Sequence, residues 1–278
     1  VRHLSLALGV DAEKTRKSLG RAKRQLEAFE MLLEEGRTPA SALTACGIPA
    51  SALAGLVKAG IAIVEELPEA KDPFADHQVL PSEPLALNDE QSAALAGIRA
   101  SMLAKKRQVF LLNGVTGSGK TEVYLQAIAT CLEQGQEAIV LVPEIALTPQ
   151  TTERFRSRFG ERVSVLHSHL TDNERLDMWQ RVNEGRVSIV VGARSAVFAP
   201  FTKLGLIVVD EEHESSYKQS DVPPRYHARD VAVMRGHFEN VTVLLGTATP
   251  SLETYHNVER GKYGQLRLTK RVDDQVMP

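Results

Sequence analysis

The sequence predicts an α/β protein: a parallel sheet covered by helices on both faces, preceded by a small helical unit. Three observations carry this. Six short apolar runs alternate with longer helical patterns: VFLLN at 109–113, AIVLVP at 138–143, VSVLHS at 163–168, VSIVVG at 187–192, GLIVVD at 205–210 and VTVLLG at 241–246. Such a series of short branched apolar runs separated by helices is the mark of a parallel sheet covered on both faces. The first run opens directly into GVTGSGKT, residues 114–121, and the fifth ends in a block of acidic residues, DEEH at 210–213.

The whole chain sets the limits. Its 278 residues allow a large domain plus a small one, and 43% apolar with 24% charged residues is ordinary for a soluble globular protein. A formal net charge of -2 means that any surface for a polyanion is local. Cys46 and Cys131 stand far apart among apolar residues, which offers neither a disulfide framework nor zinc-site spacing, and cytoplasmic thiols are expected. No apolar run approaches the roughly 18 residues that a membrane span needs, and VRHLSLALGVDAEK turns charged before a signal core forms. No membrane partner is expected. A chain starting at Val1 and ending in RVDDQVMP reads as a portion of something longer.

Residues 1–70 are expected to form the first unit. Its leading stretch is the most basic in the chain, with Arg2, Lys14, Arg16, Lys17, Arg21, Lys23 and Arg24 against Asp11 and Glu13. RAKRQLEAFEMLLEEG predicts a helix, with Leu26, Phe29, Leu32 and Leu33 at helical spacing and Gly36 as its stop. Two short helices follow, TPASALTACG with Thr38 as cap and IPASALAGLVKAG ending at Gly60, and IAIVEEL then has strand propensity. Three helices closed by a short strand pair have the outline of a winged helix. Its last helix offers only Lys58 among Ala, Leu, Val and Gly, too little to read base edges. The unit therefore reads either as a packing module or as one that touches a nucleic-acid backbone through the basic run near Arg21.

Residues 71–84, within LPEAKDPFADHQVLPSEP, lack a sustained period and predict a linker or surface strap, and the large domain is expected over 85–278. In the loop formed by Gly114, Val115, Thr116, Gly117, Ser118, Gly119, Lys120 and Thr121, glycines let backbone amides approach phosphate oxygens, and the following helix adds its positive end. Lys120 supplies a mobile charge for the outer phosphates and Thr121 a hydroxyl for magnesium. Kinases, transporters, GTPases and helicases all share this loop. A non-motor phosphotransferase or a regulatory module that holds nucleotide without hydrolysis stays open at this point.

At the carboxyl end of its strand, Asp210 faces the same crevice, placed to hold hydrated magnesium opposite Thr121, and Glu211 is placed to orient the attacking water. GTATPS, residues 246–251, ends the next strand with hydroxyl residues, among them Thr247 and Thr249. His213 beside the acidic residues and opposite that turn suits a coupling role better than that of a plain surface histidine.

The ordered set GVTGSGKT, LVPEIALTPQ, GARSAVFAPF, DEEH and GTATPS resembles the first motor lobe of superfamily-two helicases. PEIALTPQ, GARSAVFAPF and DEEHESSYKQSDVPPRYHARDVA are similar, more narrowly, to the bacterial primosomal replication-restart helicases. The likeness is strong over 85–278 and looser over the first unit. It implies a RecA-like lobe, ATP and magnesium as cofactors, and unwinding with 3′ to 5′ polarity. It also implies single-stranded and forked DNA as substrate, primosome proteins and single-stranded DNA-binding protein as partners, and a bacterial cytoplasmic location. The family's zinc insert, second lobe with its arginine finger, and terminal DNA-binding domains have no counterpart among these residues. The chain is thus expected to be monomeric and slow in hydrolysis by itself. By the same likeness, LNDEQ at 87–91 is the nucleotide-contact segment, where Gln91 presents an amide to the adenine edge unless it is a helix-cap residue.

A strand track needs backbone-contacting groups and aromatic platforms. Three elements after strand ends offer them: Pro143 to Gln150, Gly192 to Ser195 with Arg194, and Tyr217 to Arg229. In the last, Tyr217 and Tyr226 interleave with Lys218, Arg225, His227 and Arg229, which favours a DNA-coupling role over an incidental solvated loop in a chain with only 5% aromatics.

Overall fold

The computed structural model describes residues 2–7, 10–20, 22–66, 80–104, 108–167, 170–220 and 223–272. Most of the expected linker, and Arg21 of the basic run, lie outside the described residues. The chain divides into two compact units, Val1–Lys71 and Asp72–Pro278.

In the first unit the order is β1 (Arg2–Leu6), α1 (Ala12–Leu19), α2 (Lys23–Glu35), β2 (Thr38–Pro39), α3 (Ala40–Ala45), α4 (Ala50–Lys58) and β3 (Ala62–Glu66). Asp11 caps α1 by accepting a hydrogen bond from the Lys14 amide, and Gly36 ends α2 at a φ of 73°. Leu4, Phe29, Leu32, Leu43, Ile48 and Leu56 form the core, whereas Leu33 faces outward. The sequence anticipates β3 but not its partner. β3 pairs antiparallel with β1 from the start of the chain, and β2 closes the other side, giving the order β2-β1-β3. Five residues of RHLSL carry little local signal; their extended form is fixed by pairing with a segment about sixty residues away. Two arginines of the basic run are already engaged, Arg16 with Glu30 at 2.7 Å and Arg24 with Glu27 at 2.7 Å.

The second unit runs α5 (Asp89–Leu103), β4 (Val109–Gly114), α6 (Lys120–Glu133), β5 (Glu137–Leu141), α7 (Pro149–Phe159), β6 (Val163–Leu166), α8 (Asp172–Asn183), β7 (Ile189–Gly192), β8 (Leu204–Val209), α9 (Ala228–Phe238), β9 (Thr242–Thr247), α10 (Leu252–Glu259) and β10 (Gly264–Leu268). Seven strands, all parallel, form one sheet in the order β10-β4-β9-β8-β5-β7-β6. Side chains alternate between its two faces. Phe110, Leu112, Val140, Val208 and Leu244 pack on one side with α5 and α6, while Val109, Ile139, Ile207, Val243 and Leu245 pack on the other with α8 and α9. Burial on both faces is why the strands read as continuous apolar runs. The edge strand β10 escapes that signal because GQLRL is polar at alternate positions.

The topology decides where chemistry can occur. From β4 the chain crosses to β5, and β8 and β9 later fill the gap, so β9 separates the strand that feeds the phosphate loop from the strand that feeds the acidic block. All three carboxyl ends open at one edge of the sheet.

Because Leu244 is fully buried at the centre of the sheet, Leu244→Ala is expected to lower the unfolding free energy by about 2–5 kcal/mol. Leu103→Ala, at an exposed site, should change it by less than about 0.5 kcal/mol. Urea denaturation followed by the fluorescence of Trp179, the only tryptophan, measures both; equal midpoints for the two variants would contradict this packing.

Candidate nucleotide-binding active site

β4 delivers Gly114 to the edge of the sheet, and α6 begins at Lys120. Between them the loop turns back sharply, with Gly119 at a φ of 77° as the residue that starts the helix. A side chain there would also lie 2.4 Å from Gln91 Nε2, so both backbone conformation and space require glycine. Lys120 is largely buried, and its ammonium donates to the Gly114 carbonyl at 2.9 Å. Glu211 Oε1 lies 3.7 Å from the same nitrogen. Ser118 Oγ is buried with no hydrogen-bond partner, an open polar atom inside a loop whose helix presents its positive end.

The acidic block faces this loop across β9. Asp210 follows β8; Tyr124 donates its hydroxyl to Asp210 Oδ1 at 2.9 Å, and Tyr217 donates to the Asp210 carbonyl at 2.6 Å. Burial raises the pKa of Asp210 above the usual carboxylate value, and the Tyr124 hydrogen bond opposes that rise. Burial likewise pushes both tyrosines well above 10, so each hydroxyl is a fixed donor. Glu211 adopts a φ of 43°, a left-handed conformation that stores about 1–3 kcal/mol in a residue of this type. Its side chain stays partly open to the cleft.

Glu212 is 0% exposed. Its carboxylate accepts from the Ser251 amide at 2.8 Å, the Ser251 hydroxyl at 2.9 Å, the Thr254 hydroxyl at 2.8 Å and Arg229 Nη1 at 3.1 Å. A buried charge survives only when paired and hydrogen-bonded in this way. Beside it, His213 Nδ1 lies 2.8 Å from Thr247 Oγ1, which also accepts from the Thr249 amide at 3.1 Å.

A cleft of about 590 Å³ opens between these parts, lined by Thr116 to Glu122, Asp210 and Glu211, and on its far side by Ser82, Leu85, Arg154 and Arg158. Arg158 holds Glu122 through two bonds of 3.1 Å, and Glu122 in turn accepts from the Leu85 amide. Burial tends to raise the pKa of Glu122, but the bonds from Arg158, Gln126 and Leu85 outweigh it and hold the carboxyl below its usual value.

Residues 89–258 match the family model described as DEAD/DEAH box helicase. The chain belongs to the DEAD/DEAH box helicase family. Among curated relatives, Replication restart protein PriA of Bacillus subtilis is 53% identical over 208 residues, 75% of this chain and 26% of the relative. The protein of the same name from Chlamydia trachomatis is 46% identical over 269 residues, 95% of this chain and 36% of the relative. The chain thus spans about a quarter to a third of the length of these relatives. The structure of RecG bound to a three-way DNA junction matches with a TM-score of 0.53 at 22% identity, covering 77% of this chain and 27% of RecG, a likeness of fold.

ATP and magnesium are the cofactors of this family, and the residues present fit them. The loop offers amides, an unpartnered Ser118 hydroxyl and the Lys120 ammonium to phosphate, and Thr121 and Asp210 offer oxygen to a divalent ion in the same cleft.

Three expected roles change. Gln91 takes the helix-cap alternative, and its amide is engaged within the protein: its Nε2 donates to the Ser118 carbonyl at 2.9 Å and its Oε1 accepts from the Asn88 amide at 2.9 Å. It closes a capping box on α5 and props the phosphate loop from behind. Tyr217 is 1% exposed and cannot serve as a stacking platform. Arg229 is consumed by the buried Glu212, and by Asp230 at 3.0 Å. The outer part of that segment remains at the surface. Arg194 Nη1 donates to the Lys218 carbonyl at 2.9 Å and Lys218 Nζ to the Arg225 carbonyl at 2.9 Å, while Tyr226 meets the half-exposed Phe198 edge-to-face at 5.0 Å.

Sequence reasoning missed Tyr124, Phe198 and the Glu122–Arg158 pair. Tyr124 had a usable signal, since it stands one helical turn after Lys120 and so shares its face.

Removing the Glu212 carboxylate strands the Arg229 guanidinium and three further donors. Glu212→Ala is expected to destabilise this unit by about 3–5 kcal/mol, and Glu212→Gln by about 1–3 kcal/mol. Urea titration checks both; wild-type stability in the alanine variant would mean that water replaces the carboxylate.

Proposed function

We propose that this chain binds ATP with magnesium in the cleft and supplies the ATP-binding lobe of a 3′ to 5′ DNA helicase of replication restart. The observation that carries the reading is the meeting of Lys120 with Glu211 at 3.7 Å, in one cleft with Thr121 and Asp210. Replication-restart relatives at 46–53% identity support the finer part.

The residues divide the work by position. Backbone amides of Gly117 to Thr121 and the Lys120 ammonium bind the phosphates and, as charge moves outward in the transition state, stabilise it. Thr121 and Asp210 would hold magnesium, which when bound would supply charge neutralisation for the phosphates. Glu211, the least committed carboxylate of the three, orients and polarises the attacking water. Turnover is completed by an arginine of a second lobe, as in comparable motors.

The surface formed by Arg194, Phe198, Lys218, Arg225 and Tyr226 contacts single-stranded or forked DNA. Tyr217 acts beneath it: its hydroxyl holds the Asp210 carbonyl while its neighbour Lys218 lies in that surface, so a shift at the metal-side carboxylate moves the DNA-facing loop. His213 and the Thr247–Thr249 turn couple Glu211 to the neighbouring strand. Unit 1 is a winged helix in which β1 provides the central strand; α4 offers only Lys58 toward base edges, so its contacts are with DNA backbone or protein. Primosome proteins and single-stranded DNA-binding protein are the expected partners, in the bacterial cytoplasm. Among the described residues no helix is long and apolar enough to cross a membrane.

Lys120→Ala is expected to weaken ATP binding by about 10- to 100-fold, because a charge-assisted hydrogen bond contributes about 1.5–3 kcal/mol. Glu211→Gln should keep wild-type affinity while the parent helicase loses hydrolysis. Titration with a fluorescent ATP analogue and a phosphate-release assay separate these; unaltered binding by Lys120→Ala would refute the site. For the DNA surface, Arg225→Ala and Tyr226→Ala should each weaken single-strand binding by about 1–3 kcal/mol without changing ATP affinity, as read by fluorescence anisotropy. Wild-type DNA affinity in both would remove this surface from the strand track.

A further inference from the structure

We propose that Tyr124 is a positioning residue that sets which oxygen of Asp210 faces the magnesium side of the cleft. The inference rests on the reading of the cleft as an ATP–magnesium site. Tyr124 stands four residues after Lys120, one turn along α6, so a single helix carries the phosphate-binding ammonium, the Thr121 hydroxyl and this phenol. The ring is 1% exposed, and the hydroxyl donates to Asp210 Oδ1 at 2.9 Å. To get there from α6 it must cross β9, which lies between β4 and β8.

Gly246 records that crossing. A Cβ built on it would overlap the Tyr124 hydroxyl and lie 2.7 Å from Tyr124 Cζ. Gly246 is not among the glycines with positive φ, so its backbone asks for nothing special. The space is needed by the phenol. Helix and strand are thus cut to fit one contact, a donor fixed on Oδ1 of a carboxylate whose backbone carbonyl is fixed by Tyr217 at 2.6 Å. Asp210 is thus held at one carboxylate oxygen by Tyr124 and at its backbone carbonyl by Tyr217, and it lines the cleft together with Thr121. Preorganisation of this kind shows as metal dependence rather than as nucleotide affinity alone.

The test uses the 278-residue chain and a fluorescent ATP analogue titrated at several magnesium concentrations. Tyr124→Phe keeps the ring and its packing but removes the donor. It should raise the magnesium concentration for half-maximal nucleotide affinity about tenfold, the low end for a hydrogen bond to an ionised group, while affinity at saturating magnesium returns to that of the parent. Gly246→Ala should reproduce this by displacing the ring, and Tyr255→Phe, at an exposed tyrosine of α10, should not. In an Asp210→Asn background Tyr124→Phe should add nothing, as expected for groups that act as one unit. An equal loss of affinity with and without magnesium would make Tyr124 a packing residue and overturn the inference. So would an unchanged magnesium dependence in Tyr124→Phe. A parent chain whose nucleotide affinity ignores magnesium would instead overturn the reading of the cleft itself.

Discussion

The spacing between β4 and β8 governs the rest of the structure. With β9 inserted between them, the phosphate loop and the acidic block stand two strand spacings apart, roughly 10 Å. That distance is too great for direct contact between backbones, and it leaves the width that a triphosphate and a hydrated ion require. It also obliges long side chains to bridge. Lys120 reaches Glu211, and Tyr124 reaches Asp210 over the glycine notch in β9. The inserted strand is no passive filler, because its end carries Thr247 to within 2.8 Å of His213.

Behind the cleft, Glu212 gathers α9, the turn after β9 and the first turn of α10 around a single buried carboxylate. Such an arrangement contributes little net stability compared with apolar packing, but it punishes partial disruption severely. It therefore ties three elements of the floor to one side chain. The opposite wall is built differently: Glu122 and Arg158 tie α6, α7 and the segment before α5 together through paired bonds at the rim. One wall is a buried knot and the other a rim clasp, and α6 joins the two, since it carries Glu122 of the clasp and also Tyr124 and Lys120, which reach the acidic block.

Much of this was legible beforehand, for a physical reason. Strands buried on both faces must be apolar throughout, and a loop that wraps phosphate must carry glycine, lysine and a hydroxyl at fixed spacing, so six strands and the residues of the phosphate loop and acidic block can be named from sequence. What escaped depends on partners distant in the chain. β1 and β10 are strands because of what they pair with. Gln91 carries an amide suited to a base, yet Ser118, 27 residues away, claims it. Tyr217 and Arg229 sit in a stretch whose composition suits a nucleic-acid surface, but the Asp210 carbonyl and the buried Glu212 carboxylate engage them instead. Composition reports what a segment can do; burial decides which members remain free to do it.

That competition explains why Glu211, of three consecutive acidic residues, is the one proposed to orient the attacking water. The Asp210 amide is tied to the Leu141 carbonyl on β5 at 2.8 Å, and the Glu212 amide to the Gly246 carbonyl on β9 at 3.0 Å. Neighbouring strands on opposite sides thus pin the residues flanking Glu211. The chain must turn between these two anchors, and the residue between them takes up the left-handed φ of 43°. Glycine would do so without strain. A glutamate held there is strained by about 1–3 kcal/mol, which two strand-anchored amides and the buried Glu212 network can sustain. The same turn that strains its backbone keeps its side chain out of the floor, partly exposed and within reach of Lys120. Asp210 is fixed by two phenols, Glu212 by four donors, and Glu211 retains the freedom that its proposed water-orienting role requires.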